Sequence, residues 1–530
     1  MQALLDPHFY PHAPATVEHR ETHISHVFLA GRYVYKLKKA VRLPFVDFST
    51  LALRTHFCHE EVRLNRRLCP EVYLGVVPIT HLADGSLRLD GEGDAVEHLV
   101  WMHRLPEDGM LPHALAAGRI TTDLLEEFAR TLVAFHAAVP VDAEVTAQAQ
   151  PEVLRARWDE EIAALGAGIP ELLPAEDHAV LADFGPTFLI HHETVLRARL
   201  GAGRIREGHG DLHGGNVCLV ETPPPPAGLY AFDCLEFSRA LRSTDVAAEV
   251  AFLTMDLEAR GYPELAGTFA RAYAEAAADA DLPNLLPFYA AQRALIRAKV
   301  DALRLGQPDC TPAERADRVQ RARQHLALAV RYAWASGAPV VIAVSGLSGT
   351  GKSALATALG DASGFAVVST DSLRSRRGSG PEVSAVDQGR YAPAARAAVY
   401  IQLATEVDAH LAAGRSVVAD ATFLQRGERE RLQHVARTRS AAVMFVECHA
   451  DEDTVRGRLE GRERRLPDAP PPLTDARWDT YVAQRRHRDS FAANEPHRVV
   501  DTSANLAAAR SQAIRLLWPW RQGRRVAEVK

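Results

Sequence analysis

The sequence predicts two unrelated halves: an α+β, two-lobed amino-terminal half and an α/β carboxy-terminal half built on a parallel sheet. Three observations lead there. Strand-like alternation dominates residues 22–38, and helical periodicity takes over from about 121 to 330. After residue 339, short apolar runs recur between helical segments, as in a parallel sheet covered by helices. Two glycine-bearing motifs of different architecture, HGDLHGGN (209–216) and GLSGTGKS (346–353), fall one in each half.

The elements follow in order. THISHVFL and RYVYKLK alternate around AGR, the pattern of a hairpin. Residues 50–68 read as a helix, and VYLGVVPI and VEHLVWMHRL as two further strands, closing a first lobe over 1–103. DLLEEFARTLVAFHAAV and PEVLRARWDEEIAAL are amphipathic helices of a second lobe over 104–330. Within it HGDLHGGN leads into the strand VCLV, a turn TPPPPAG and the strand LYAF. A helix is then expected from STDVAAEVAFLTMDLEA. RYAWASGAP (331–339) reads as a connector to a third domain over 339–530. Its strands are VVIAV, AVVST, SVVAD, AVMFVEC and RVVDT, interrupted by the proline-rich RLPDAPPPLTDARW. The tail RQGRRVAEVK reads as a solvated end.

Composition excludes several classes. The chain has 530 residues, enough for three or four folding units, and 47% of them are hydrophobic. A net charge of −6 exerts no global pull toward nucleic acid or anionic membrane. The six cysteines are scattered without a Cys-x-x-Cys pair, as for reduced thiols rather than a disulfide framework or zinc finger. No apolar run approaches the length of a membrane helix, and the amino terminus lacks the pattern of a signal peptide. A soluble, cytoplasmic chain with no membrane partner is expected.

In HGDLHGGN, Asp211 and Asn216 stand five apart, as in the catalytic loop of protein kinases. A carboxylate serves near an acceptor hydroxyl, and a neutral oxygen serves as a Mg²⁺ ligand. The strands 217–220 and 229–232 form a hairpin whose outer ends meet, which sets Asn216 beside Asp233, a second metal carboxylate. Lys36, on the strand YVYKLKK, is the candidate phosphate-binding lysine and Glu61 its partner. Lys38 on the same strand face and Glu60 are the alternatives. His213 reads as a hydrogen-bonding loop residue, and Glu236 as scaffold or substrate contact.

HGDLHGGN followed by FDCLEF resembles the aminoglycoside phosphotransferase family, the small-molecule branch of the protein-kinase-like fold. The resemblance spans roughly residues 15–325. It implies Asp211 as catalytic base, with Asn216 and Asp233 as Mg²⁺ ligands. One feature departs from the family. No G-x-G-x-x-G precedes the Lys36 strand, so backbone cradling of phosphates is not expected there.

GLSGTGKS matches G-x-x-x-x-G-K-[ST] between a strand and a helix. The backbone of Gly346, Ser348, Gly349, Thr350 and Gly351 faces phosphate oxygens, Lys352 reaches the outer phosphates, and Ser353 holds Mg²⁺. Asp371 and Asp420 end the strands AVVST and SVVAD, where ligands of open parallel sheets gather. Arg374 follows Asp371 by three residues. Arg458 and Arg462 share a helix face, either as a lid over transferring phosphate or as a solvated charged surface. Over about 339–510 this half resembles the P-loop small-molecule and polynucleotide kinases. In that family the STDSLR segment implies Asp371 as base and Arg374 as substrate contact, with Asp420 supporting Mg²⁺. The two halves in this order resemble bifunctional aminoglycoside phosphotransferase/ATP-binding proteins.

The expectation is a fused pair of ATP- and Mg²⁺-dependent phosphotransferases acting on small-molecule hydroxyls, sugar- or aminocyclitol-like. The alternative makes the P-loop half a nucleoside or polynucleotide kinase and the first half a regulatory nucleotide-binding module.

Overall fold

The alternation at the amino terminus folds as the expected hairpin: Ser25–Ala30 pairs antiparallel with Tyr33–Lys38 across the turn Gly31-Arg32. The computed structural model describes residues 1–43, 46–82, 85–168, 172–221, 227–305, 310–376, 393–463 and 477–523. The chain divides into two units, Met1–Ala164 with Phe188–His325, and Leu165–Thr187 with Leu326–Lys530.

In the first unit the hairpin belongs to a six-stranded antiparallel sheet. Its order is Val17–Glu21, Ser25–Ala30, Tyr33–Lys38, Ala95–His103, Tyr73–His81, Leu87–Leu89. After Val17 the edge strand VEHRE is polar and exposed, so it carries no apolar alternation by which to read it from sequence. Helix Leu51–Asn65 is capped by the Thr50 hydroxyl, which accepts from Leu53 N–H. It buries Cys58 and Val62 against Val34, Val72, Tyr73 and Val100. That packing fixes the helix across the strand that carries Lys36.

The helical part of the unit is organised around Val246–Ala259, a helix buried on nearly every side. Its start differs from the sequence reading. Ser243–Asp245 form a short strand paired with Ile205–Glu207, and the helix begins only at Val246. Asp245 is the cap: its carboxylate accepts from Ala247 N–H at 2.8 Å, the use for which a short acidic side chain is better suited than a helix interior. Arg199 holds the same carboxylate through two bonds of 2.7 Å and reaches Asp279 at 2.6 Å.

The second unit contains the expected parallel sheet, in the order Ala366–Ser369, Val417–Asp420, Val340–Ser345, Ala442–His449, His497–Asp501. All four pairings are parallel. The proposed connector is corrected by the structure. Helix Pro312–Ala335 runs through Arg331–Ala335, because Ala333 and Trp334 are buried core residues and Trp334 packs edge-on to Trp518 at 5.2 Å. Asp371 lies in the first turn of a helix, Thr370–Arg376, rather than on the strand itself. The tetraproline turn, most of RLPDAPPPLTDARW and the end of the basic tail lie outside the described residues. The strands flanking the tetraproline pair Val220 with Gly228, as a hairpin requires. Among the described residues no helix is long and apolar enough to cross a membrane.

Replacing Arg199 with alanine leaves Asp245 buried without its cation and Asp279 with only Arg204 at 3.8 Å. The expected loss is about 3–5 kcal/mol of unfolding free energy, read from denaturant melts; an unchanged midpoint would contradict the assignment.

Candidate functional sites

The strand Tyr33–Lys38 carries two lysines with different surroundings. Lys36 Nζ donates to Glu61 Oε1 at 2.9 Å and to Asp233 Oδ1 at 2.6 Å. Lys38 Nζ donates to Glu61 Oε2 at 2.7 Å and to Glu236 Oε1 at 2.5 Å, and its side chain is fully buried. Burial disfavours both ammonium charges, and the carboxylates outweigh it, so both lysines stay protonated. Only Lys36 lines the adjoining cavity of 540 Å³. Lys38 is thus a buried support and Lys36 the lysine open to a ligand. Glu61 is the shared partner, while Glu60 turns away to pair with Arg63 at the surface. Glu236 lines the cavity and is tied to Lys38.

The HGDLHGGN loop is fastened from behind by two carboxylates that the sequence reading did not single out. Glu249 accepts from His209 N–H at 2.9 Å and Gly210 N–H at 2.5 Å. Asp256, two turns further along the same helix, accepts from Gly214 N–H at 3.1 Å. A Cβ at residue 214 would lie 2.4 Å from Asp256 Oδ2, so glycine is required for the approach. Burial opposes the Glu249 charge. The His136 bond of 3.0 Å, with His209 and the loop N–H groups, outweighs it and holds the carboxyl at about 2. The sequence did carry a signal for both residues: acids inside the otherwise apolar run VAAEVAFLTMDL.

His209 joins this loop to the hairpin. Its Nε2 donates to Phe232 O at 2.9 Å, and its Nδ1 accepts from Asp211 N–H. The strand pair Val217–Val220 and Gly228–Ala231 ends in a bond from Phe232 N–H to Asn216 O at 3.0 Å, and Asp233 follows directly. Asp233 adopts φ +61°, a left-handed conformation that aspartate tolerates better than most residues. Asn216 Nδ2 donates to Asp211 Oδ2 at 3.1 Å. His213 accepts from Gly215 N–H and lies 3.5 Å from Asp211, a loop contact as expected. Burial alone would raise the Asp211 carboxyl. His213 and then Arg297 more than reverse this, so Asp211 is ionised.

The cavity beside these groups has apolar walls that include Ile24, Val27, Val34, Met102 and Phe232, with Lys36, Asp211 and Asp233 at its polar end. The turn Thr22–Ile24 above it is closed by Thr22 N–H to Ser25 O (2.9 Å) and Ser25 N–H to Thr22 Oγ1 (3.0 Å). This short closed turn stands in place of a glycine-rich flap. The residues fit Mg²⁺. Asp233 offers a half-exposed carboxylate, and Asn216 an Oδ1 that accepts no hydrogen bond among the described residues. Such an ion is completed by phosphate oxygens and water.

In the second unit, Gly346–Gly351 join the strand Val340–Ser345 to the helix Lys352–Ser363. Gly349 has φ +85°, and a Cβ there would lie 2.9 Å from Val455. The loop is pinned by Thr350 Oγ1 donating to Leu347 O at 2.8 Å and Thr502 Oγ1 donating to Thr350 O at 2.5 Å. Ser348 N–H donates to Gln484 Oε1 at 2.8 Å, so a side-chain oxygen stands at one N–H of the loop. Gln484 was not anticipated. It lies on Trp478–Arg486, beyond a segment too polar and proline-rich to align with the loop by pattern.

Lys352 forms no hydrogen bond or ion pair among the described residues. Asp420 is buried, its Oδ1 has no hydrogen-bond partner, and burial raises its pKa against the pull of Lys352 and Ser353. An orphaned carboxylate oxygen beside Ser353 fits a divalent cation. Asp371 pairs with Arg374 at 2.6 Å. Arg458 Nη2 donates to Thr502 O at 2.6 Å, and its Nη1 is buried without a partner near Gly351. Arg462 lies on the same helix, Glu452–Glu463, with its side chain outside the described residues.

A family model described as an AAA domain matches residues 341–488. The uncharacterized protein Rv2004c of Mycobacterium tuberculosis (strain ATCC 25618 / H37Rv) is 32% identical over 478 residues, covering 88% of this chain and 91% of its own length. The uncharacterized protein Mb2027c of Mycobacterium bovis (strain ATCC BAA-935 / AF2122/97) matches to the same extent. Among solved structures, the GDP complex of aminoglycoside 2'-phosphotransferase-IIIa is 14% identical, covering 62% of this chain and 97% of that one, with a TM-score of 0.38. A sugar kinase from Janibacter sp. HTCC2649 is 20% identical, covering 34% and 94%, with a TM-score of 0.26.

Two outcomes follow from the geometry. The Glu249 carboxyl is depressed from 4.5 to about 2, so its contribution to stability is complete above pH 4.5 and is lost as pH falls toward 2. Over that window Glu249→Gln should unfold with a shallower pH dependence than wild type, and amide exchange at Gly210 should quicken; identical pH slopes would refute the clamp. Gln484→Ala frees Ser348 N–H and should tighten binding of a fluorescent ATP analogue by a few-fold, since a neutral hydrogen bond is worth about 0.5–1.5 kcal/mol; weaker binding would assign Gln484 a supporting role instead.

Proposed function

Since the chain belongs to the same family as the Mycobacterium tuberculosis protein Rv2004c, which it matches across both halves, we propose that it is a double phosphotransferase, with each half moving the γ-phosphoryl group of ATP to a hydroxyl of a small molecule. The observation that carries this reading is the Asp211–Asn216–Asp233–Lys36–Glu61 constellation at the end of a 540 Å³ cavity in the first unit. An intact phosphate loop in the second unit supports the same chemistry there.

In the first unit, Lys36 binds the phosphates and is steadied by Glu61. Asp211, ionised and aligned by Asn216 and His213, accepts the proton of the acceptor hydroxyl as its oxygen forms a bond to the γ-phosphorus and the bond to ADP breaks. Asn216 and Asp233 would hold Mg²⁺, which neutralises charge building on the phosphates. In the second unit the loop N–H groups and Lys352 bind the phosphates, and Asp371 takes the hydroxyl proton while Arg374 positions the acceptor. Ser353 and Asp420 are the donors for Mg²⁺, and Arg458 offers an unpaired N–H to spreading phosphoryl charge.

A metabolite pool incubated with ATP and scanned for the mass gain of one phosphate tests the proposal. Asp211→Ala should abolish one set of products, with a loss of ~10²–10⁴-fold, and leave the other. Lys352→Ala should do the reverse. Products unaffected by either substitution would sink the double-site reading.

A further inference from the structure

Four arginines of the first unit are buried among the described residues: Arg54, Arg199, Arg242 and Arg293. Arg54 pairs with Glu97, Arg199 with Asp245 and Asp279, and Arg242 with Glu207. Arg293 forms no ion pair among the described residues, although the Glu249 and Asp211 charges act on it from a distance. Its one hydrogen bond is a long one, from Nε to Ala248 O at 3.4 Å, and its guanidinium lies over the Phe252 ring at 5.0 Å. One helical turn on, and so on the same face, Arg297 repeats the anomaly. Its Nε is sealed from solvent without an acceptor, and no hydrogen bond or ion pair engages the rest of the group among the described residues. Desolvating a cation is costly, so a half-buried Arg297 whose Nε has no acceptor, beside a buried Arg293 held by one long bond and a ring face, calls for a ligand or a reason.

Their place in the fold supplies the reason. Helix Leu282–Leu305, which carries both arginines, packs against Val246–Ala259, the helix whose Glu249 and Asp256 hold the HGDLHGGN loop. Phe252, under Arg293, touches the His213 ring at 5.5 Å, and His213 lies 3.5 Å from Asp211. The acids nearby are already engaged: Glu249 by His136 and two backbone N–H groups, and Asp256 by Arg260 and Gly214 N–H. Asp211 lines the cavity of Lys36 and Asp233, and neither arginine does. The pair therefore stands at the loop but outside the walls of that cavity.

Resting on the reading of Asp211 as the base of the first unit, we propose that the acceptor there carries an oxyanion, and that Arg293 and Arg297 seat it. The substrate class is then a hydroxyl compound with a phosphate ester or carboxylate a few bonds from the reacting oxygen, not a polycationic aminocyclitol. Two guanidinium groups give planar, forked donor sets that suit either anion. The same positive charge keeps Asp211 ionised while the substrate arrives.

The test uses the full chain with Lys352→Ala, which silences the second unit. Matched acceptors are compared: glycerol, glycerol phosphate and glycerate; a hexose, its 6-phosphate and its uronate; and an aminocyclitol. Asp211-dependent transfer should favour the anionic members, and the ester and acid arms identify which oxyanion is preferred. Arg297→Gln, and separately Arg293→Lys, should lower kcat/KM for anionic acceptors about ten- to a hundredfold more than for neutral ones, with the excess chiefly in KM. Preference for neutral or cationic acceptors overturns the proposal. So does an equal loss for all acceptors with a shifted pH profile of kcat, because the arginines would then act only on Asp211. Equilibrium dialysis of inorganic phosphate provides a readout apart from turnover. Binding that Arg297→Gln leaves unchanged overturns the anion seat. Arginine-dependent binding without transfer to any acceptor supports the seat and overturns the kinase reading of the first unit.

Discussion

Backbone N–H groups that need an acceptor are the constraint around which both halves are built. A glycine-bearing loop presents several of them in a small space, and none can stay unpaired out of water. In the first unit the demand is met from within: Glu249 and Asp256 reach up from one buried helix and take the N–H groups of His209, Gly210 and Gly214. These bonds fix the backbone on either side of Asp211, the residue between Gly210 and Gly214 that lines the cavity. In the second unit a side chain from a distant helix, Gln484, takes the N–H of Ser348.

The charges are distributed by the same logic. Two lysines on one strand face share Glu61, and each has a second acid of its own: Asp233 for Lys36, Glu236 for Lys38. The fully buried pair is a strut that keeps Glu61 in place. The pair at the cavity is the one a ligand meets. In the second unit Asp420 is buried with one oxygen unbonded, a costly arrangement for a carboxylate unless a cation completes it. What separates the two lysines is access rather than the number of bonds: each donates to two carboxylates, and Lys36 alone of the two borders the cavity.

Much of this was legible from residue order. The hairpin, the five parallel strands and both glycine motifs lay where periodicity and spacing put them, because strand alternation and loop chemistry are local properties. Misreadings came where tertiary contacts override local preference. Ser243–Asp245 read as helix, yet Arg199 and a strand partner hold them extended. Arg331–Ala335 read as a linker, yet Trp334 buries against Trp518 and carries the helix onward.

The sequence by itself determined the two architectures and marked Asp211, Asn216, Asp233, Lys352 and Asp420 as candidates, since each belongs to a motif or a strand end whose geometry follows from short-range rules. Only the tertiary structure told apart the surroundings of Lys36 and Lys38 and of Glu61 and Glu60, and only it revealed Glu249, Asp256, Gln484 and the two arginines without an ion pair among the described residues. The physical reason is that burial and partnership depend on segments distant in the chain. Lys36 meets Asp233 across 197 residues, and Ser348 meets Gln484 across 136.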